Sequence, residues 1–145
     1  MSIKVIFENL EFLVLDKPAL LDSQPSRNDR PSIAGWLFKK YRFSGLVHRL
    51  DFGTSGLMVC AKDNKTAARL TKLLQNNEIT RTYLGFVLGK GLPKQGSIKT
   101  KLDDKNAVTH YKIIDTYLNA MLLEITLETG RKHQIRRHFA KAGFS

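Results

Sequence analysis

Cysteine is scarce in this sequence, because Cys60 is its only thiol. A single thiol excludes an internal disulfide, and the apolar neighbours of Cys60 predict a buried side chain. The four histidines have no cysteine partners at the spacing of a metal site, so we expect no metal. Cofactor-binding motifs are also missing, and we expect no cofactor.

Long apolar runs and targeting signals are absent as well. No apolar run approaches the roughly 18 residues that a membrane-spanning helix needs. The first residues, MSIKVIFENL, do not show the basic and apolar regions of a signal peptide. We therefore expect a cytoplasmic protein without a membrane partner.

Acidic residues are few relative to basic ones. Lysine and arginine total 24 against 13 acids, which gives a net charge of +11 at pH 7. This balance favours a polyanionic partner, with nucleic acid first and an anionic membrane second. The alternative is a generally basic surface without a specific partner. With 145 residues, 42% of them hydrophobic, the chain is predicted to fold as one domain over residues 1–145.

Hydrophobic periodicity predicts an α+β fold, a mostly antiparallel mixed sheet with a few flanking helices. Strands are predicted at Ile3–Phe7, Phe12–Asp16, Leu57–Ala61, Thr80–Leu88, Ser97–Leu102, Ala107–Ile114 and Met121–Leu127. Helices are predicted from Ser32 to about Arg42, from Asn64 to about Asn76, and from about His133 to Ala142. The polar segment Leu20–Pro31 is predicted to be a loop that is basic enough to touch phosphate.

The stretch His48–Gly56, HRLDFGTSG, combines one carboxylate with a loop of small residues. Asp51 follows Arg49 by two residues. The glycines and hydroxyl residues that come next allow a sharp turn and leave room for a ligand. An acid near a fixed cation at such a loop suits a carboxylate nucleophile. The alternative is that Asp51 only hydrogen-bonds the backbone of its own loop.

Tyr83 lies on one face of its predicted strand, opposite Leu84 and Phe86. Gly85 leaves space beside the ring, so the tyrosine could stack on an extruded base. The alternative is a packed tyrosine with its hydroxyl at the rim of the core.

Two stretches carry clustered basic residues. On a helical wheel of the last helix, Ile135, Phe139 and Ala142 form an apolar stripe. Arg136 lies beside this stripe and Arg137 points away, so Arg136 is predicted to be the more buried arginine. A buried arginine needs an anionic partner, for which Asp51 is the candidate.

The second helix carries a basic stripe formed by Lys65, Arg69 and Lys72. This stripe could follow a phosphate backbone, or it could simply be a solvated face. On the last helix, His133 and His138 are not at ligand spacing, and both are predicted to make polar contacts.

Three stretches resemble, in the expected order, the motifs of the RluA-type pseudouridine synthases. HRLDFGTSG resembles the catalytic loop, ITRTYLGFVLG (Ile79–Gly89) the tyrosine-bearing strand, and LETGRKHQIRRHF (Leu127–Phe139) the third motif. The resemblance implies a catalytic domain of that type, which isomerises uridine in RNA without metal or cofactor.

The resemblance also implies roles for individual residues. Asp51 would be the nucleophile, Arg49 would help to displace the target uridine, Tyr83 would be the active-site tyrosine, and Arg136 would pair with Asp51. From their charge, and not from the resemblance, the remaining basic side chains are predicted to meet RNA phosphates or solvent, namely Arg131, Lys132, His133, Arg137, Lys65, Arg69 and Lys72.

The resemblance stops at the C-terminal end of the sequence. In that family a glycine–histidine–proline turn and further strands follow the third motif, so we expect an incomplete domain with an uncovered sheet edge. Such an edge would allow self-association. Two functions remain open, an active synthase on ribosomal or transfer RNA and an inactive RNA-binding remnant. A basic nucleic-acid binder unrelated to the family is a third.

Overall fold

The computed structural model describes residues 3–26 and 30–144. Residues 27–29 of the predicted loop Leu20–Pro31 therefore lie outside the described residues. The chain forms two compact units, Met1–Leu74 and Gln75–Ser145. Each unit contains a four-stranded sheet in which every strand pairing is antiparallel.

The sheet of the first unit has the order β1-β2-β4-β3. Its elements are β1 (Lys4–Glu8), β2 (Phe12–Lys17), helix α1 (Ile33–Tyr41), β3 (Gly45–Leu46), β4 (Gly56–Ala61) and helix α2 (Asn64–Gln75). The central strands pair Leu13 with Cys60 and Leu15 with Met58, and all four side chains are fully buried. Burial raises the pKa of the Cys60 thiol to about 12, which agrees with the predicted buried side chain. β3 was not predicted, because two residues are too few to show a period.

Local capping explains where these elements begin. The side-chain oxygen of Asn9 accepts hydrogen bonds from two backbone N–H groups and closes the predicted hairpin between β1 and β2. Ser32 caps α1 by accepting from the Gly35 N–H at 3.1 Å. Asp63 caps α2 by accepting from the Thr66 N–H at 2.8 Å. Both caps agree with the sequence prediction.

The sheet of the second unit has the order β5-β8-β7-β6. Its elements are β5 (Arg81–Leu88), β6 (Gln95–Lys99), β7 (Val108–Thr116), β8 (Ala120–Leu127) and helix α3 (Gln134–Lys141). A buried cluster forms its core: Val87, Tyr111, Met121, Leu123, Ile125, Leu127 and Phe139. The predicted strand Ser97–Leu102 lies too far along the chain, because Leu102 is buried in a turn that it closes with Lys105.

One face of the second sheet exposes large apolar side chains. On the edge strand β5, Leu84 is 70% exposed and Phe86 is 66% exposed. The ring of Phe86 contacts the ring of Tyr117 with centroids 5.7 Å apart. Leu88, Ile114 and Leu118 are also exposed. Exposed apolar groups in this number usually mark an interaction surface.

The α+β class is confirmed, and the strands are divided between two sheets. Within residues 3–26 and 30–144, none of the helices has the length and apolar character needed to cross a membrane.

Candidate functional site

Asp51 lies at the start of a tight turn in the first unit. Its carbonyl oxygen accepts a hydrogen bond from the Thr54 N–H at 2.9 Å. Asp51 is neither fully buried nor fully exposed. Gly56 ends the loop with φ of +129°, a conformation that L side chains rarely adopt. The glycine at this position is therefore required by the turn.

The backbone on either side of Asp51 is held by side chains from other elements. The Ser23 hydroxyl donates to the Leu50 carbonyl at 2.7 Å and accepts from the Leu50 N–H at 3.1 Å. The Nε2 atom of His48 accepts from the Val59 N–H at 3.0 Å. These bonds fix the residue before Asp51 and join the loop to β4.

Lys17 supports the same loop from inside the unit. Its side chain is fully buried, and its ammonium group donates to the carbonyl oxygens of Leu21 at 2.7 Å and Pro18 at 2.9 Å. A longer contact of 3.5 Å reaches the carbonyl oxygen of Phe52, the residue after Asp51. The Phe52 carbonyl also accepts from the Leu20 N–H at 2.8 Å, so the turn is tied to the segment that follows β2.

Lys17 is a buried residue that supports the loop of Asp51 and was not predicted from the sequence. Burial lowers the pKa of Lys17, and the carboxylates of Asp22 and Asp51 oppose this effect. The strand period could have located it, because Leu13, Leu15 and Lys17 are alternate residues of β2 and all face inward.

The other predicted site residues of the first unit lie on its surface. Arg49 is exposed in the loop of Asp51. Lys65, Arg69 and Lys72 are exposed along α2, as the wheel predicted. Arg69 forms an ion pair with Glu11 at 2.8 Å, which offsets part of the positive charge of this stripe.

In the second unit, Tyr83 is on the predicted face of β5. It is half-buried and packs against the core of that unit. A Cβ atom added to Gly85 would lie 3.5 Å from Ile125 Cδ1, so the space beside the ring is bounded by Ile125. Ile125 is also the cross-strand partner of Tyr83.

Arg81 is a second residue that sequence reasoning left without a role. Its guanidinium donates to the Glu128 carbonyl at 3.3 Å and lies against Gly130. A Cβ atom on Gly130 would be 2.5 Å from Arg81 Nη1, so the glycine of the third motif makes room for this arginine. The available signal was that Arg81 and Tyr83 share one face of a strand.

The basic residues of the third motif lie at the start of α3. Arg131, Lys132 and Arg136 are exposed, and the Nε atom of Arg131 donates to the Asn106 carbonyl at 3.2 Å. His133 is half-buried and has a left-handed backbone, with φ of 52°, just before the helix begins. His138 is fully buried and makes two polar contacts, which confirms the prediction for this residue.

The predicted burial order of the two helical arginines is wrong. Arg136 is exposed, whereas Arg137 is half-buried and holds Asp103 through two hydrogen bonds of 2.8 and 2.7 Å. The pair lowers the pKa of Asp103. The physical reason is that Gln134 and His138 are buried as well, whereas Ala142 of the predicted stripe is exposed. These differences move the centre of the buried face by about 40°, at 3.6 residues per turn, and place the two arginines at similar distances from it.

The predicted site residues are therefore distributed over both units. Asp51, Arg49 and the α2 stripe belong to the first unit. Tyr83 and the third motif belong to the second, where Tyr83 and Ile135 pack against the same core.

Comparison with known proteins decides the family. The sequence profile of the family described as RNA pseudouridylate synthase matches residues 11–141, a span that encloses all three motifs. The chain belongs to this family.

Curated relatives in this synthase family are about one-third identical to the chain over the aligned residues. A protein of Nitrosomonas europaea named ribosomal large subunit pseudouridine synthase D is 33% identical, over 97% of this chain and 47% of its own length. A protein of the same name from Haemophilus influenzae is 34% identical, over 95% of this chain and 49% of its own length. The chain spans about half the length of the curated relatives it matches.

Two solved structures have the same fold. Human RNA pseudouridylate synthase domain containing 4 superposes with a TM-score of 0.80 at 22% identity, covering 96% of this chain and 64% of that one. Human RNA pseudouridylate synthase domain containing 1 also gives a TM-score of 0.80, at 18% identity, covering 99% and 66%.

Proposed function

We propose that this chain isomerises uridine to pseudouridine in RNA, with Asp51 as the nucleophile. The observation that carries this proposal is the anchored turn of HRLDFGTSG in a member of the pseudouridylate synthase family. A partly exposed aspartate on an anchored loop can approach a bound nucleotide without reorganising its support. Both units together would form the catalytic domain predicted over residues 1–145.

The reaction is an isomerisation and its atoms balance without an oxidant or a second substrate. The bond from C1′ to N1 breaks, the uracil turns, and C1′ forms a new bond to C5. The C5 proton leaves and N1 takes up a proton. Asp51 attacks either C1′ or C6 in this scheme, and both routes lead to the same product.

The other site residues have supporting roles in this proposal. Arg49 is exposed beside Asp51 and would occupy the place of the extruded uridine. Tyr83 would stack on the uracil, and Arg136 would aim the carboxylate of Asp51 by pairing with it. The exposed cations Arg131, Lys132, Lys65 and Lys72 would contact RNA phosphates.

Ribosomal RNA is the substrate class that the comparisons favour over transfer RNA. Several relatives at 31 to 34% identity are named ribosomal large subunit pseudouridine synthases. A ribosomal substrate also fits the cytoplasmic location predicted from the sequence. We propose that the target uridine lies in large-subunit ribosomal RNA.

Release of tritium from C5-labelled uridine tests this function, because formation of the C1′–C5 bond frees the C5 hydrogen. We expect the chain to release tritium from a large-subunit ribosomal transcript and not from a transfer RNA transcript. Release from the transfer RNA alone would overturn the substrate class. RNA binding without release from either transcript would favour the inactive remnant.

A further inference from the structure

A chain of buried polar side chains joins α3 to β7 in the second unit. Thr109 and His138 are fully buried, and Gln134 is 2% exposed. Burying three polar side chains beside a core of this size is costly unless each group is paired. The reaction proposed above gives these three residues no role.

Every polar group of Gln134 has a partner. Its Nε2 atom donates to the Val108 carbonyl and to Thr109 Oγ1, both at 3.0 Å. Its Oε1 atom accepts from the Arg131 N–H at 3.0 Å and from the Thr129 hydroxyl at 2.7 Å. Because Arg131 N–H can only donate, the orientation of the Gln134 amide is fixed.

The direction of the remaining hydrogen bonds follows from this end of the chain. Thr109 Oγ1 accepts from Gln134, so its single proton is free to be donated to His138 Nδ1 at 2.9 Å. His138 then carries its proton on Nε2, which donates to the Thr100 carbonyl at 3.0 Å. A carbonyl can only accept, so the far end of the chain requires the same direction.

The chain of bonds sets how α3 is rotated on the sheet. If only Ile135, Phe139 and Ala142 determined the buried face of α3, its centre would lie about 40° away from the observed centre, measured around the helix axis. At the outer radius of a helix, a rotation of that size moves a side chain by about 4 Å. Such a rotation moves the whole surface of the helix, so the side chains of Arg136 and Arg137 would move with it.

We propose that Thr109, Gln134 and His138 are positioning residues that set the direction of Arg136 and of the Arg131–His133 segment. The network acts on that segment directly, through the bond from Arg131 N–H to Gln134, and on Arg136 through the rotation of α3. Its effect on turnover rests on the role proposed above for Arg136. A displacement of only about 1 Å in a reacting group can cost roughly 100-fold in rate.

The test compares variants at Thr109 that differ in the hydroxyl. Thr109→Val keeps the shape and removes the link between Gln134 and His138, whereas Thr109→Ser keeps the link. We expect Thr109→Val to lower kcat about 10- to 100-fold at a temperature well below its melting point, and Thr109→Ser to stay within about threefold of wild type. If Thr109→Val does not fold, Thr109→Ala is compared with Thr109→Ser, because this pair differs by one oxygen atom.

A control separates positioning from loss of stability. Leu123→Val shortens a buried side chain of β8 outside the network. We expect it to lower the melting temperature and to leave kcat unchanged. If Thr109→Val and Leu123→Val lower the melting temperature equally and both keep wild-type kcat, the network is only structural and the proposal is overturned.

A second measurement does not depend on activity. Long-range ¹H–¹⁵N NMR spectra report the tautomer of His138, and the Nε resonance of Arg136 reports its surroundings, with assignment by Arg136→Lys. We expect a proton on His138 Nε2 in wild type, and shifts of the Arg131 amide and Arg136 Nε resonances in Thr109→Val but not in Thr109→Ser. An inactive wild type with these shifts would reject the proposed function and keep the positioning role. Unchanged resonances in Thr109→Val would reject the positioning role.

Discussion

Among single residues, Lys17 shows how a buried charge can serve the loop of a candidate nucleophile. Its ammonium donates to two backbone carbonyls of the segment after β2 and, at 3.5 Å, to the Phe52 carbonyl in the turn that carries Asp51. Lysine is rarely fully buried, and here its donors replace water for carbonyl groups that the fold removes from solvent. The residue therefore belongs to the support of the site, although no part of it needs to touch the substrate.

Replacing this lysine should destabilise the first unit. Lys17→Met keeps most of the apolar stem and removes the donors, which leaves buried carbonyl groups without partners. We expect the free energy of unfolding to fall by about 2 kcal/mol, measured by urea denaturation. Lys39→Met is the control, because Lys39 is exposed on α1 and its replacement should change the stability by less than about 0.5 kcal/mol. Equal stability of the two variants would show that the Lys17 bonds contribute little.

Among the secondary-structure elements, helices α1 and α2 begin where the sequence predicted because each has a capping residue. Ser32 and Asp63 are short polar residues that precede segments with helical periodicity, and each accepts a hydrogen bond from a backbone N–H of the first turn. The strand β2 ends at Lys17, one residue beyond the predicted Phe12–Asp16, because Pro18 follows and cannot extend the ladder.

The cap of α2 should make the stability depend on pH. Hydrogen bonds from the backbone and side chain of Thr66, with a smaller effect of Lys65, lower the pKa of Asp63 from its ordinary value of 3.8. The charged form is favoured by folding, so this contribution is present above pH 3.8 and is lost as the pH falls through the lowered pKa. We expect the stability advantage of wild type over Asp63→Asn to shrink as the pH is lowered from 5 towards 3.

A second variant separates the charge from the cap. Asp63→Ala removes the acceptor as well, so it should be less stable than Asp63→Asn at every pH. The measurement is thermal unfolding of the three proteins across the pH series. A constant difference between wild type and Asp63→Asn would mean that Asp63 does not titrate with a lowered pKa.

Helix α3 shows where periodicity was insufficient. Its apolar residues alone placed Arg136 near the core and Arg137 in solvent, and the structure has Arg137 bound to Asp103. This prediction was wrong because Gln134 and His138 are polar residues that are nevertheless buried, so the apolar pattern did not include them. Hydrogen-bond partners such as Thr109 come from a strand far along the chain, so a single-helix pattern does not contain them.

For the whole molecule, local sequence patterns predicted the α+β class and most of the helices and strands. They did not predict which strands pair with one another when those strands are far apart in the sequence. Alternation located β5 and the face of Tyr83, and the order of three motifs indicated the family. The division into two sheets depends on which strands pair, and a two-residue strand such as β3 has no period to read. The burial of Lys17 was not predicted, because lysine side chains usually lie in solvent.

The exposed face of β5 supports the predicted self-association. Leu84, Phe86 and Leu88 are exposed on an edge strand, and burying each would gain about 1.5 to 3 kcal/mol. We expect sedimentation equilibrium to show concentration-dependent oligomers, and Phe86→Lys to weaken association by more than about tenfold. Leu10→Lys is the control, because Leu10 is 95% exposed and belongs to the first unit, whose sheet does not include β5. A wild-type protein that remains monomeric at all concentrations would contradict this prediction.

The central claim is that the anchored turn of the first unit presents Asp51 as the nucleophile of uridine isomerisation. The most direct measurement is tritium release from C5-labelled ribosomal RNA by wild type, Asp51→Asn and Asp104→Asn. The asparagine keeps the shape of the side chain and removes its charge, and Asp104 provides the same change at an exposed turn outside the site. We predict release by wild type and Asp104→Asn, and no release by Asp51→Asn although it still binds the RNA. Equal release of tritium by Asp51→Asn and wild type would show that Asp51 is not the nucleophile.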